Sequence, residues 1–144
     1  MEARRPATIV LTILAYIVIT FAVQGGSHFG VNAQHYAAIS IMRPDPVIPM
    51  GLASMVIQGA IFALLFPVFN RRPATVRNGL VFSWALGGFL ASYIVLGEAG
   101  KYAIPSIPSW VAVETGVAAV QYTLFGVVLG LLHRGRSPAG DEPT

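Results

Sequence analysis

The chain has no cysteine, few charges and none of the short motifs that cradle phosphates or metals. Without thiols it forms no disulfide, no thiolate metal site and no thiol nucleophile. Charged residues make up 10% of the 144 positions, where a soluble domain carries about 25%. That shortage excludes a surface built mainly for water. The absence of a glycine-rich phosphate loop, of HExxH and of GxSxG removes the nucleotide-binding, zinc-peptidase and serine-hydrolase templates. The net charge of +3 does not make a nucleic-acid surface, because the basic residues lie in short, separated groups.

What is present is apolar. Hydrophobic residues make up 55% of the chain and mean hydropathy is +0.68. Four runs approach or exceed the roughly 20 helical residues needed to cross a hydrocarbon core, and they predict spans at 7–24, 47–69, 79–97 and 110–132. Barrel strands would alternate apolar and polar residues over about ten positions, whereas these runs are apolar on every face. The expected fold is therefore all-α: a polytopic membrane protein with four transmembrane helices in one antiparallel bundle (1–134). The segment 135–144, rich in Gly, Pro and charge, is expected to be a disordered cytoplasmic tail.

Arg4, Arg5, Arg71, Arg72, Arg77, Arg134 and Arg136 flank the runs on one side, against Arg43 and Lys101 on the other. This bias predicts that both termini are cytoplasmic and that the protein is a multi-pass component of a bacterial inner membrane. Arg4-Arg5 before an apolar run is also how a signal peptide begins. The run is long for that role, however, and no small-x-small cleavage site follows in Phe21-Ala22-Val23-Gln24-Gly25. It is read as a retained span.

Punctuation marks the run ends. Pro49 suits a first helical turn, Pro67 is expected to kink or finish the second helix, and Ser109 is a candidate N-cap for the fourth. Trp110, Tyr102, Tyr36 and Phe69, near run ends, are expected as interfacial anchors, while Trp84 and Tyr122 lie deeper.

Lipid tails are as apolar as leucine, so helices in a bilayer associate through close fit and buried polar contacts. Ser83, Gly87 and Ala91 form one small-residue stripe, and Gly126-x-x-x-Gly130 another. Each serves either the bundle's own packing, the preferred reading, or a dimer face.

An ionisable side chain within a span is by default a functional candidate, and Glu114 is one. Gln121 lies two turns deeper on its face, Gln58 sits near the middle of the second span with Ser54 four residues before it, and Glu98 and Lys101 close the third run. His28, Asn32 and His35 follow the first run at spacings of four and three. The sharp expectation is a polar pocket open to the outside, with Glu114 and His28 at its centre and Gln58 and Gln121 at its floor. A neutral Glu114 would donate a hydrogen bond or pass a proton, and an ionised one needs a partner such as His28, Arg43 or Lys101. The bland alternative is that the glutamines only tie helices together, at on the order of 1 kcal/mol per bond. The histidine spacing of seven fits no standard metal-ligand pair, so no metal, haem or other cofactor is expected, and no catalytic residue is assigned.

The segments from His28 through Tyr36 into Ile41-Met42-Arg43-Pro44, from Ser54 to Gly59, and from Gln121 through Gly126 to Leu132-His133-Arg134 resemble small four-helix bacterial membrane protein families classed as domains of unknown function. The resemblance implies the fold and topology that the runs already suggest, and it carries no functional residue. Two functions remain in view. One is a non-catalytic accessory or scaffold subunit that packs in the lipid bilayer with itself or with a larger membrane complex. The other is a bundle that handles a ligand, solute or proton at Glu114.

Overall fold

A computed structural model of the protein describes residues 6–40, 43, 45–70 and 73–134. The segment 135–144, and the arginines at 4, 5, 71, 72 and 136, lie outside the described residues. Helix α1 (Pro6–Gly26) runs on through a π-helical turn, Ser27–Val31, to a short α2 (Ala33–Ala37). After α3 (Ile48–Phe69) comes α4 (Val76–Ser92), which continues through a second π-helical segment, Tyr93–Glu98, into α5 (Ala99–Lys101). The last helix is α6 (Ile107–Leu132). Four helical stretches are long and apolar enough to cross a membrane: Pro6–Val31, Ile48–Phe69, Val76–Lys101 and Ile107–Leu132. There is no strand among the described residues.

Three of the four stretches exceed the apolar runs, and local chemistry accounts for the ends. The first passes Gln24 because the π-helical turn absorbs Gly30, a poor helix former, and closes with the Asn32 amide donating to the Ser27 carbonyl at 2.9 Å. The third starts at a capping box: the Asn78 amide donates to Thr75 Oγ1 at 3.2 Å, and the Thr75 amide to Asn78 Oδ1 at 3.0 Å. The fourth begins one turn before Ser109, because Ser106 is the cap and its Oγ accepts from the Ser109 amide at 3.4 Å. Pro108 is accommodated in that first turn. Pro67 does not end α3. The helix continues to Phe69, giving up only the bond that a Pro67 amide would have made to the carbonyl four residues back.

The connections bring Pro6, Phe69, Val76 and Leu132 to one end of the bundle, here called proximal because the described residues begin and end there. The other end is distal. Helix α6 is the hub, packing against both α4 and α1, and α1 in turn packs against α3. Helices α3 and α4 touch mainly through Phe62, Phe66 and Phe69 against Phe82, with ring centroids 5.4–6.1 Å apart. The main core is proximal to central, formed by Tyr16, Phe62, Phe66, Tyr122, Phe125 and Leu129.

Small residues set the two closest crossings. On Gly130 a Cβ would lie 2.6 Å from the Thr75 oxygen and 2.6 Å from Val76 Cα, and on Gly126 it would lie 2.9 Å from Leu80 Cα. The Gly126-x-x-x-Gly130 stripe is thus occupied by α4 of the same chain. Ser83, on the facing stripe, donates to the Tyr122 carbonyl at 2.8 Å, and the Tyr122 ring lies on Gly87. Helix α1 meets α3 at Gly59, where a Cβ would come within 3.2 Å of Ile13 Cα.

Candidate functional site

Helix α1 carries Thr12, Tyr16, Thr20 and Gln24, and the π-helical turn after it His28, at successive steps of four residues, which is one face of a helix. That face looks into the bundle: Thr12, Tyr16 and Thr20 are buried. It organises the polar residues of the apolar helices into two chains of hydrogen bonds.

The central chain crosses three helices. Gln24 Nε2 donates to Gln121 Oε1 at 2.8 Å. Gln121 Nε2 donates to Thr20 Oγ1 at 3.1 Å and to the Tyr16 hydroxyl at 3.4 Å. Tyr16 donates to Gln58 Oε1 at 2.5 Å, and Gln58 Nε2 donates to Ser54 Oγ at 3.0 Å. Below it, Thr12 Oγ1 lies 3.2 Å from His133 Nε2.

The distal chain converges on Glu114, which is 7% exposed. Asn32 Nδ2 donates to Ser27 Oγ at 2.9 Å. The Tyr36 hydroxyl gives its proton to Glu114 Oε1 at 2.6 Å, so the 3.4 Å contact between Ser27 Oγ and Tyr36 has Ser27 as donor. Every donor points toward the carboxylate, an arrangement in which each bond polarises the next. Burial, followed by the bond to Glu114, raises the Tyr36 pKa well above the ordinary phenol range.

His28 does not reach Glu114. Its ring stacks on Tyr36 at a centroid distance of 3.7 Å, so Tyr36 stands between the two. His28 Nδ1 lies 3.0 Å from the Gln24 carbonyl; a carbonyl only accepts, so Nδ1 carries the proton. His35 contacts Ser109 through Nδ1 at 3.3 Å. Among the described residues no three of His, Asp and Glu come together as a metal would require. Lys101 donates to the Tyr93 hydroxyl and lies over that ring at 4.5 Å rather than pairing with Glu114.

The polar residues therefore meet in a packed network. The void bordered by Gln24 and Glu114 is about 20 Å³, room for roughly one water. A larger groove of about 280 Å³ lies between α4 and α6, walled by Gly88, Ala91, Ala118 and Ala119 with Trp84 and Tyr122. It is apolar and separate from the network's hydrogen bonds.

Two residues expected as interfacial anchors are buried instead. Tyr36 is 5% exposed and Trp110 4%. The π-helical segment after α4 explains Trp110: its wide turn presents the carbonyls of Val95 and Ile94, which accept from the indole N–H at 3.2 and 3.3 Å. Together with Ile39 these rings form a small distal core.

Tyr16, Thr20 and Tyr36 are the site residues that the apolar runs hide. The polar four-residue stripe on α1 is the signal that identifies the first two. No family model, curated protein or solved structure matches this chain, so nothing further rests on the likeness to uncharacterised four-helix families.

Proposed function

We propose that this chain is a non-catalytic, multi-pass protein of the bacterial inner membrane, with both termini in the cytoplasm. It serves as an accessory or scaffold subunit that packs with itself or with a larger complex. The observation that carries this reading is that the intramembrane polar side chains bind one another, above a closed layer of Phe62, Phe66, Phe125 and Leu129, each at most 1% exposed. A solute path along one chain would have to cross that layer, and the polar groups beside it, Tyr16 and the Thr12–His133 pair, are themselves buried and hydrogen-bonded. Arg77 and Arg134 at the proximal end, with the excess of arginine in the sequence segments that flank it, support the orientation.

Reconstitution into liposomes with an internal pH dye tests the reading. The protein is expected to leave the pH gradient as stable as in empty vesicles, and native mass spectrometry after mild extraction to return an oligomer or a stoichiometric partner. Gradient collapse that requires Glu114 would overturn it.

A second reading keeps one specific observation. Glu114 is buried, borders a water-sized void and, among the described residues, has a hydrogen bond from Tyr36 rather than an ion pair. A carboxylate so placed can exchange a proton with the distal side. This reading requires Glu114→Gln to abolish proton uptake or a cellular phenotype that survives Gln121→Ala.

A further inference from the structure

The outer face of α3 carries a seam that the bundle leaves uncovered. Gly51, Ser54, Gln58, Ile61, Leu65 and Val68 follow one another at alternating steps of three and four residues, the repeat of a left-handed helix pair. The α1-facing residues Gly59, Phe62, Ala63 and Phe66 are buried and lie on another side of the helix. On the seam, Gly51 and Ser54 are exposed, Gln58 is half-buried, and Ile61 and Val68 are 44% and 61% exposed.

Gln58 decides what can cover this face. It lies ten residues into α3, about 15 Å from the distal start of a helix about 33 Å long, and so near mid-span. Its carbonyl accepts one bond, from Tyr16, and its amide nitrogen donates one, to Ser54. A primary amide has two donor hydrogens and two acceptor lone pairs, so Gln58 retains one of each. Hydrocarbon satisfies neither. The remaining N–H is partially positive and the remaining lone pair partially negative; a primary amide complements both, and a second copy presents one at the same depth in its own Gln58.

We infer that the α3 seam is the contact between two copies of this chain, related by a two-fold axis parallel to the helices, with the Gln58 amides paired across it. The inference rests on the scaffold reading above and deepens it by naming the partner. Two parallel α3 helices place Gly51 and Ser54 opposite their counterparts at the distal end, where small side chains let the backbones approach. Ile61, Leu65 and Val68 fill the proximal half. A single polar position within such a seam fixes register and excludes shifted pairings.

The absence of native cysteine makes the test clean. Ser54→Cys and Ile61→Cys chains, oxidised in liposomes at a high lipid-to-protein ratio, are expected to give disulfide dimers, while Val81→Cys, on the exposed face of α4, gives none. Energy transfer between labelled copies then reads affinity. Gln58→Leu is expected to raise the dimer dissociation constant about ten-fold, as the loss of two intramembrane amide bonds implies. Tyr16→Phe, which removes only the bond within the chain, leaves it within about two-fold. Equal crosslinking at Val81 and Ile61, or an unchanged constant in Gln58→Leu, overturns the inference. A chain that stays monomeric but extracts with another protein in fixed ratio overturns it and leaves the scaffold reading standing. A solitary monomer overturns both.

Discussion

Adding one methyl group at Gly130 should separate the two most closely packed helices. The Cβ of Gly130→Ala would sit 2.6 Å from the Thr75 oxygen and 2.6 Å from Val76 Cα, against about 3.5–4.0 Å for an ordinary carbon contact. Both obstacles are backbone, so no rotamer change relieves the overlap, and α4 must retreat by roughly 1 Å. Overpacking of this kind costs about 1–3 kcal/mol. A retreat that spreads along α4 also stretches the Ser83 bond to the Tyr122 carbonyl, worth on the order of 0.6 kcal/mol in a membrane. The same substitution gains up to about 1 kcal/mol of helix propensity, so the raw change understates the clash. Gly88→Ala supplies the correction: it makes the same change within α4, where nothing lies within 4 Å. Unfolding in mixed micelles, followed by circular dichroism, should place Gly130→Ala about 1–3 kcal/mol below Gly88→Ala. Equal stability of the two variants would refute the α4–α6 crossing and with it the assignment of the glycine stripe to the bundle's own packing.

Other outcomes follow from single groups. Tyr36→Phe removes the hydrogen bond to Glu114 and leaves a buried carboxylate unsatisfied, for a loss of about 1–3 kcal/mol; Glu114→Gln, whose amide oxygen still accepts from Tyr36, should lose less, and the reverse order in a denaturation series would contradict the geometry. Trp110→Phe deletes the indole donor to the Val95 and Ile94 carbonyls, so proteolysis after Lys101 should quicken while unfolding shifts by about 1 kcal/mol; unchanged cleavage would count against the π-helical acceptor site. Because the Tyr36 pKa is raised, its contribution to stability is complete below the ordinary phenol value of about 10 and declines only as pH rises toward the native value. Ultraviolet titration should then show a phenolate step in the parent chain, above the ordinary range, that Tyr36→Phe lacks; loss of a step at the ordinary value instead would refute it.

The four apolar stretches were legible because they are long, nearly uninterrupted runs, and composition reports them directly. Their ends were less legible. Hydropathy marks where apolar residues stop, whereas the helices stop where backbone groups find other partners, as at Ser106 and at the π-helical turn after Gly26. The carboxylate and glutamines within the apolar stretches were visible by rarity. Their partners were not, because Tyr16 and Thr20 read as ordinary members of an apolar run, and Tyr36 lies beyond the apparent end of the first span. Its pairing with Glu114 is a contact across 78 positions, which depends on how sharply the chain turns back after Val31. No periodicity encodes that.

The bundle also illustrates why polar side chains identify neighbours more strictly than apolar ones do in a bilayer. An apolar face of α3 gains little by choosing α1 over lipid, because both are hydrocarbon. An amide has no such freedom: without water it must find a donor or acceptor on another helix. The stripe from Thr12 to Gln24 supplies hydroxyls and an amide to Gln121 on one side, and through Tyr16 to Gln58 on the other. This fixes α1 between α6 and α3. Small residues then determine how closely the chosen pairs approach. Gln58, the last acceptor on that path to bear an amide, is also the one whose hydrogen-bonding capacity the monomer leaves incomplete, so the rule that orders the helices within one chain also points to a second chain beside it.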